Sequence, residues 1–114
     1  MVPTRAYRSI IQGNTISMSI SKNLEIVNKL GMHARAAAQF VQLASNFNSH
    51  IEIEKDNRRV NGKSIMGVMM LAASKGSRVT LYADGEDEED SINKLEDLIN
   101  NRFNEDEWKT VNNE

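Results

Sequence analysis

The sequence predicts an α+β fold, a two-layer open-faced sandwich in which three helices cover one face of a four-stranded antiparallel sheet. Segments with alternating apolar side chains and segments with apolar side chains three and four positions apart follow one another in the order βαββαβα. The chain has 114 residues, which favours a single domain. Short strands need helices on one face of their sheet to enclose a core.

The first half of the chain predicts a strand, a helix and a β-hairpin. Residues 24–27 alternate as a strand does, and residues 28–31 break that pattern. A helix is predicted over residues 33–47, where apolar side chains recur at helical spacing: Ala34, Ala37, Phe40, Val41, Ala44 and Phe47. Residues 50–55 alternate strictly, and residues 58–61 form a short return strand after an Asp-Asn turn.

The second half predicts two helices around a strand. Ser64 is a natural N-cap for a short helix over residues 65–73, which is apolar on nearly all sides. Residues 79–83 alternate as a strand. The acidic residues 84–90 precede a last helix, where the helix dipole favours negative charge. Its buried stripe is predicted to be Ile92, Leu95, Leu98, Ile99 and Phe103.

Composition excludes several classes of function. The chain has no cysteine and two histidines, so disulfides and thiolate chemistry are excluded and we expect no metal site. No apolar run is long enough for a transmembrane helix, and the lack of cysteine fits a cytoplasmic protein. Residues 18–83 carry a net charge of +5 and residues 84–114 carry −9. The acidic third would repel a phosphate backbone, so we expect no nucleic-acid partner.

The segment Gly31-Met32-His33-Ala34-Arg35-Ala36 carries the most specific chemistry. It places a histidine at the start of a helix, where free backbone N–H groups attract anions. Arg35 offers a planar guanidinium that suits phosphoryl oxygens. A nucleophile, an anion site and a cation together favour phosphoryl capture. The residues alone leave a second interpretation open, in which His33 is an ordinary surface or capping residue.

Two motifs resemble a known family. Residues 31–36 look like the active-site signature of HPr-type phosphocarriers of the bacterial phosphoenolpyruvate-dependent phosphotransferase system, and residues 61–71 resemble the second signature, around a regulatory serine. Both motifs lie in register within the βαββαβα order. Family members typically have Pro after the Arg, whereas this chain has Ala36. Some relatives in the nitrogen-related branch carry Ala there, and Gly31-Met32-His33 is also similar to that branch.

The resemblance implies a function and its residues. His33 would carry the phosphoryl group through Nδ1, with Arg35 stabilising the phosphohistidine, and no cofactor would be required. The chain would accept the group from enzyme I and pass it to a downstream enzyme II A-type acceptor, as a carrier and not an enzyme. Ser64 would be phosphorylated by an HPr kinase/phosphorylase. The apolar residues of its helix would dock partners: Ile65, Met66 and Met69.

The resemblance leaves one alternative to the phosphocarrier function. A regulatory HPr-like protein would bind partners under control of Ser64 phosphorylation, but such relatives lack the histidine that is present here.

We expect a disordered extension over residues 1–19, the HPr-like domain over 20–103 and a flexible acidic tail over 104–114. Met18 is an alternative first residue. We expect His50 to be a surface residue at a strand end.

Overall fold

The computed structural model describes residues 8–12 and 15–105. Within them lie five strands and three helices: β1 (Arg8–Gln12), β2 (Thr15–Glu25), α1 (Ala34–Ala44), β3 (His50–Lys55), β4 (Arg58–Asn61), α2 (Ile65–Met70), β5 (Arg78–Asp84) and α3 (Glu88–Asn100). A tight turn over Arg102–Asn104 follows α3.

The strands form one antiparallel sheet in the order β1-β2-β5-β3-β4. The last strand in sequence, β5, lies between β2 and β3, with Leu24 opposite Val79 and Ile53 opposite Leu81. The four strands β2, β5, β3 and β4 are the predicted four-stranded antiparallel sheet, which the structure confirms.

A fifth strand extends the sheet beyond that prediction. Strand β1 pairs with residues 15–19 of β2, and residues 20–25 of β2 pair with β5. Residues 8–12 and 15–19 lie in the segment that the sequence analysis assigns to a disordered extension, but in the structure they form β-strands. Residues 1–7, 13 and 14 of that segment lie outside the described residues. The missed signal is the alternation of residues 15–20 after a Gly-Asn pair, a typical hairpin sequence.

The core lies between the sheet and the helices. Ile51 and Ile53 of β3 are fully buried, while Glu52 and Glu54 point to the opposite face of the sheet. Apolar side chains of the helices cover the buried face: Ala36, Ala37, Phe40, Val41, Ala44, Val68, Ile92, Leu95 and Ile99. Two residues of the predicted stripes differ, because Ala34 in the first turn of α1 is exposed and Leu98 of α3 is only partly buried. Each large side chain buried in this way contributes about 1.5–3 kcal/mol to folding.

Two predicted helices end earlier than expected. Helix α1 ends at Ala44, and the N–H of Phe47 bonds to the Ala44 carbonyl at 3.2 Å in a tighter turn that still buries Phe47. Helix α2 ends at Met70, and Ala72 has a φ of +51°. The apolar spacing therefore continues past each helix, because the turns that follow also contribute to the core.

Candidate functional site

The loop between β2 and α1 positions His33, and Gly31 fixes the path of that loop. Gly31 has a φ of +68°, and a Cβ built there would lie 2.6 Å from the carbonyl oxygen of Ala73. The backbone N–H of Met32 donates to that same oxygen at 2.8 Å. Only glycine allows this close approach in a left-handed conformation, so the loop is held against the chain that follows α2.

His33 lies at the start of α1, as predicted, and is its N-cap residue. Its backbone is extended, and its carbonyl oxygen accepts a hydrogen bond from the N–H of Ala37 at 2.8 Å. The imidazole makes no capping hydrogen bond, and 29% of the side chain is exposed. The ring therefore does not cap the helix, and it can be reached from solvent.

The carboxylate of Glu105 lies against this imidazole. It accepts a hydrogen bond from Nε2 of His33, because an ionised carboxylate can only accept. Nδ1 of His33 makes no hydrogen bond to any residue in 8–12 or 15–105. Both carboxylate oxygens lie 3.3 Å from Nδ2 of Asn28, which is fully buried. Sequence reasoning missed Glu105 and Asn28, and it placed Glu105 in a flexible tail.

A left-handed turn brings Glu105 to the site. Arg102, Phe103 and Asn104 have φ values of +58°, +54° and +61°. Such values are unfavourable for residues other than glycine, by about 1–2 kcal/mol each. Phe103 is fully buried and anchors the turn in the core. The available sequence signal was Phe103, whose apolar side chain shows that the ordered chain continues past α3.

Arg35 lies in the first turn of α1, two residues after His33, in the segment predicted to bind an anion. Arg35 is exposed and forms no ion pair within the described part of the chain. The first turn carries no acidic side chain, and Ala36 and Ala37 are buried beneath it. The start of α1, which also holds His33, therefore presents the free backbone N–H groups of a helix N-terminus beside small side chains.

Ser64 caps α2, as the sequence predicts. Its Oγ accepts a hydrogen bond from the N–H of Gly67 at 3.1 Å, and its backbone carbonyl accepts from the N–H of Val68 at 3.0 Å. No hydrogen bond joins Ser64 to His33 or Arg35 among the described residues. The structure thus places the two predicted phosphorylation sites at the starts of two different helices, α1 and α2, which contact each other.

An exposed apolar surface covers most of α2. Val68 is the one residue of this helix that is fully buried. Ile65, Met66 and Met69 are 43%, 70% and 38% exposed, and we call these three residues the α2 patch. Met70 is also exposed on the same helix. Methionine suits adaptable contact surfaces, and an apolar cluster of this kind is typical of docking sites.

His50 is exposed at the first position of β3 and pairs with Glu52 at 2.9 Å, as expected for a surface residue at a strand end. Residues 8–12 and 15–105 hold no group of three His, Asp or Glu side chains that could bind a metal ion. Among the helices described, none has the length and apolar character needed to cross a membrane.

Comparison with known families assigns the chain to one family over most of its length. The family described as the PTS HPr component phosphorylation site matches residues 20–101. This range includes the four-stranded part of the sheet, all three helices, His33, Arg35 and Ser64. The chain belongs to the HPr family.

Individual HPr proteins match over most of the chain. Phosphocarrier protein HPr of Neisseria meningitidis serogroup A is 52% identical over 88 residues, which are 77% of this chain and 99% of that protein. The HPr-like protein Crh of Bacillus subtilis is 50% identical over 76 residues, covering 67% and 89% of the two chains. The HPr crystal structure from Thermoanaerobacter tengcongensis is 55% identical, covers 75% and 97%, and has a TM-score of 0.73. These HPr relatives confirm the predicted open-faced α+β fold.

Proposed function

We propose that this HPr family member is a phosphocarrier in which Nδ1 of His33 accepts a phosphoryl group from phosphorylated enzyme I and passes it to an enzyme II A-type acceptor. The observation that carries the proposal is the position of His33 at the N-cap of α1. There its ring is 29% exposed and Nε2 is engaged by Glu105, which leaves Nδ1 as the nitrogen with an available lone pair.

The start of α1 supports transfer in both directions. The backbone N–H groups and the Arg35 guanidinium stabilise the phosphoryl oxygens electrostatically. Because the site is an open helix end, a partner can approach the phosphorus and remove the group again. The chain therefore acts as a carrier and not as an enzyme: it bears the group covalently, and each transfer needs a second protein. No metal or cofactor takes part in the proposed step.

The test is phosphorylation by phosphoenolpyruvate and enzyme I, read as the intact mass. We expect a gain of one phosphoryl group that is stable in base and lost in acid, as an N–P bond is. His33→Ala should abolish the gain, and His50→Ala, the matched control, should retain it. Phosphorylation of His33→Ala to the wild-type extent would refute the assignment.

Arg35 has its own variant. Arg35→Ala should slow acceptance by about tenfold to a hundredfold, because a hydrogen bond to a charged group contributes about 1.5–3 kcal/mol. Arg78→Ala removes the same charge from β5, where the guanidinium donates to Asn23 at 2.6 Å, and should leave the rate unchanged. Equal rates for both variants would assign Arg35 no role in transfer.

Ser64 is proposed as a regulatory phosphorylation site for an HPr kinase/phosphorylase. A phosphate at this N-cap position would lie where the helix dipole favours it and would add nearly two negative charges beside the α2 patch. Incubation with the kinase and ATP should give a phosphoserine that Ser64→Ala lacks, with Ser74→Ala, at an exposed serine outside α2, as the control. A phosphorylated Ser64→Ala variant would contradict this assignment. The choice between the sugar and nitrogen branches stays a prediction.

A further inference from the structure

We propose that Glu105 is a positioning residue for phosphoryl transfer, which holds the proton of His33 on Nε2 and thereby presents the Nδ1 lone pair to phosphorus. The inference rests on the proposed function, in which Nδ1 accepts the group. It concerns a residue that the active-site signature at residues 31–36 does not contain and that lies beyond the matched range 20–101.

The hydrogen bond between Glu105 and His33 defines the tautomer. The carboxylate accepts from Nε2, so the ring proton must lie there, and a neutral imidazole then has its lone pair on Nδ1. The Glu105 side chain is only 9% exposed, compared with 29% for His33. Little water therefore competes for the carboxylate, and the hydrogen bond is stronger than it would be on an open surface.

Asn28 supports the carboxylate from the other side. Its Nδ2 donates to the carbonyl oxygen of Gly31 at 2.8 Å and lies 3.3 Å from both oxygens of Glu105. Both neighbours only accept hydrogen bonds, so the amide must present its NH₂ group to them. The turn that contains Gly31 and the carboxylate that orients His33 are thus held by one buried amide.

The turn over Arg102–Asn104 fixes the approach of Glu105. Three successive residues with positive φ persist only where the surrounding structure determines their conformation. Here Phe103 is buried in the core, and the N–H of Glu105 donates to the Arg102 carbonyl at 2.9 Å. The backbone of Glu105 is therefore held beside His33 by the fold, and its side chain does not have to find the ring from a flexible tail.

The chemical role follows from the charge balance of the transfer. The Nδ1 lone pair forms the new N–P bond, while the bond from phosphorus to the donor breaks and its electron pair stays with the donor. The ring keeps its proton on Nε2 and becomes positively charged. The Glu105 carboxylate faces that proton and stabilises the charge without accepting the proton, as a buried aspartate does for an imidazolium in a catalytic triad. In the onward step a nucleophile of the acceptor forms the new bond to phosphorus, the N–P bond breaks, and its electron pair returns to Nδ1.

Two variants separate the hydrogen bond from the charge. Glu105→Gln can still accept from Nε2 through its amide oxygen, but it is neutral, whereas Glu105→Ala can do neither. Glu96→Gln is the control, because it removes one negative charge from α3, where Glu96 pairs with Lys22 of β2. Urea unfolding of each variant would show that the domain remains folded.

The measurements are the ring N–H resonance of His33 by ¹⁵N NMR and single-turnover transfer from phosphorylated enzyme I. We expect a protected Nε2–H signal in wild type and Glu105→Gln and its loss in Glu105→Ala. The maximal transfer rate should fall by about tenfold to a hundredfold in Glu105→Ala and by a smaller factor in Glu105→Gln. Half-saturation by enzyme I should not change, because Glu105 is nearly buried.

The outcomes distinguish this inference from the proposed function. A wild-type rate and a wild-type N–H signal in Glu105→Ala would overturn the role of Glu105 and leave His33 as the carrier. A rate loss shared equally by Glu96→Gln would reduce the effect to overall charge and would also overturn it. If the wild-type protein accepts no phosphoryl group, the proposed function fails, and the inference fails with it.

Discussion

Asp87 and Ser49 form a pair of hydrogen bonds between the start of α3 and the loop before β3. One carboxylate oxygen of Asp87 accepts from the backbone N–H of Ser49 at 2.9 Å and from its hydroxyl at 2.5 Å. The other oxygen accepts from the N–H of Asn48 at 2.9 Å. The carboxylate thus provides hydrogen-bond acceptors for two backbone N–H groups of this loop.

Because of these hydrogen bonds, the free energy of unfolding should depend on pH in the acid range. The Ser49 hydroxyl, followed by the Asn48 N–H, lowers the pKa of Asp87 below its ordinary value of 3.8. A lowered pKa in the folded state stabilises the protein above pH 3.8, and that contribution is lost as the pH falls through the folded-state value. Asp87→Asn should therefore be less stable than wild type at neutral pH, and the difference should shrink as the pH falls below 3.8.

Urea midpoints across this pH range measure the effect. Asp90→Asn is the control, because Asp90 also lies in the first turn of α3 but pairs only with exposed Lys94, at 3.2 Å. A difference for Asp87→Asn that stays constant down to strongly acid pH would contradict the assignment.

Gly31→Ala should destabilise the domain by about 2–5 kcal/mol. The left-handed φ costs a residue with a Cβ about 1–2 kcal/mol, and overpacking against the Ala73 carbonyl costs about 1–3 kcal/mol more. Gly76→Ala is the matched control, because Gly76 has a φ of +90° and no atom lies within 4 Å of its Cβ position. Urea unfolding should show a clearly smaller loss for Gly76→Ala, and equal losses would exclude the Ala73 contact as the cause.

Met69→Ala should weaken docking to enzyme I through the α2 patch. If about 1–2 kcal/mol of apolar contact is lost, dissociation should become roughly tenfold faster, while association changes little. Surface binding kinetics would measure both rates. Asn23→Ala is the control, since Asn23 is exposed on β2 and bonds to Thr80 across the polar face of the sheet. Unchanged dissociation of Met69→Ala would place the docking surface elsewhere.

Ser64→Asp should act on association instead. Aspartate can still cap α2, so the helix should form. Residues 18–83 carry a net charge of +5, and we expect Lys29, Arg35 and Lys63 among them to attract an acidic surface of enzyme I, an attraction that the added negative charge would weaken. Association should slow, and added salt should reduce the difference from wild type. Stopped-flow binding at two salt concentrations checks both statements. A salt-independent difference would attribute the effect to a changed structure of α2.

Removal of residues 1–17 should leave folding and phosphoryl transfer unchanged. Strand β1 pairs only with residues 15–19 of β2, whereas residues 20–25 keep their own ladder with β5. We expect the melting temperature to change by less than about 2 °C. A decrease of several degrees would mean that this hairpin stabilises the rest of the sheet.

The sequence predicts the architecture well because each element carries its own periodicity. The alternation of residues 50–55 and the N-cap at Ser64 need only neighbouring residues, and the structure has both as expected. The sequence analysis missed the fifth strand because its hairpin signal is short and lies in a segment without a sustained period. The function proposed for residues 31–36 rests on family membership and not on periodicity.

The missed part of the site depends on contacts between distant residues. Glu105 and His33 are separated by 72 positions, and no local pattern marks a glutamate that meets a histidine across the fold. Asn28 lies in a polar loop segment that is typical of exposed turns, yet it is fully buried. The positive φ values at residues 102–104 are likewise set by the burial of Phe103 and not by their own preferences.

The turn over Arg102–Asn104 couples the position of Glu105 to the phosphorylation of His33. If the ordered turn, with Glu105 beside His33, stabilises phosphorylated His33 by a given free energy, then phosphorylation of His33 stabilises the ordered turn by the same free energy. The N–H groups of Asn104 and Glu105, bonded at 3.0 and 2.9 Å, should therefore exchange with deuterium more slowly once His33 is phosphorylated. A binding partner that contacts this turn could distinguish the loaded protein from the unloaded one without touching the phosphoryl group.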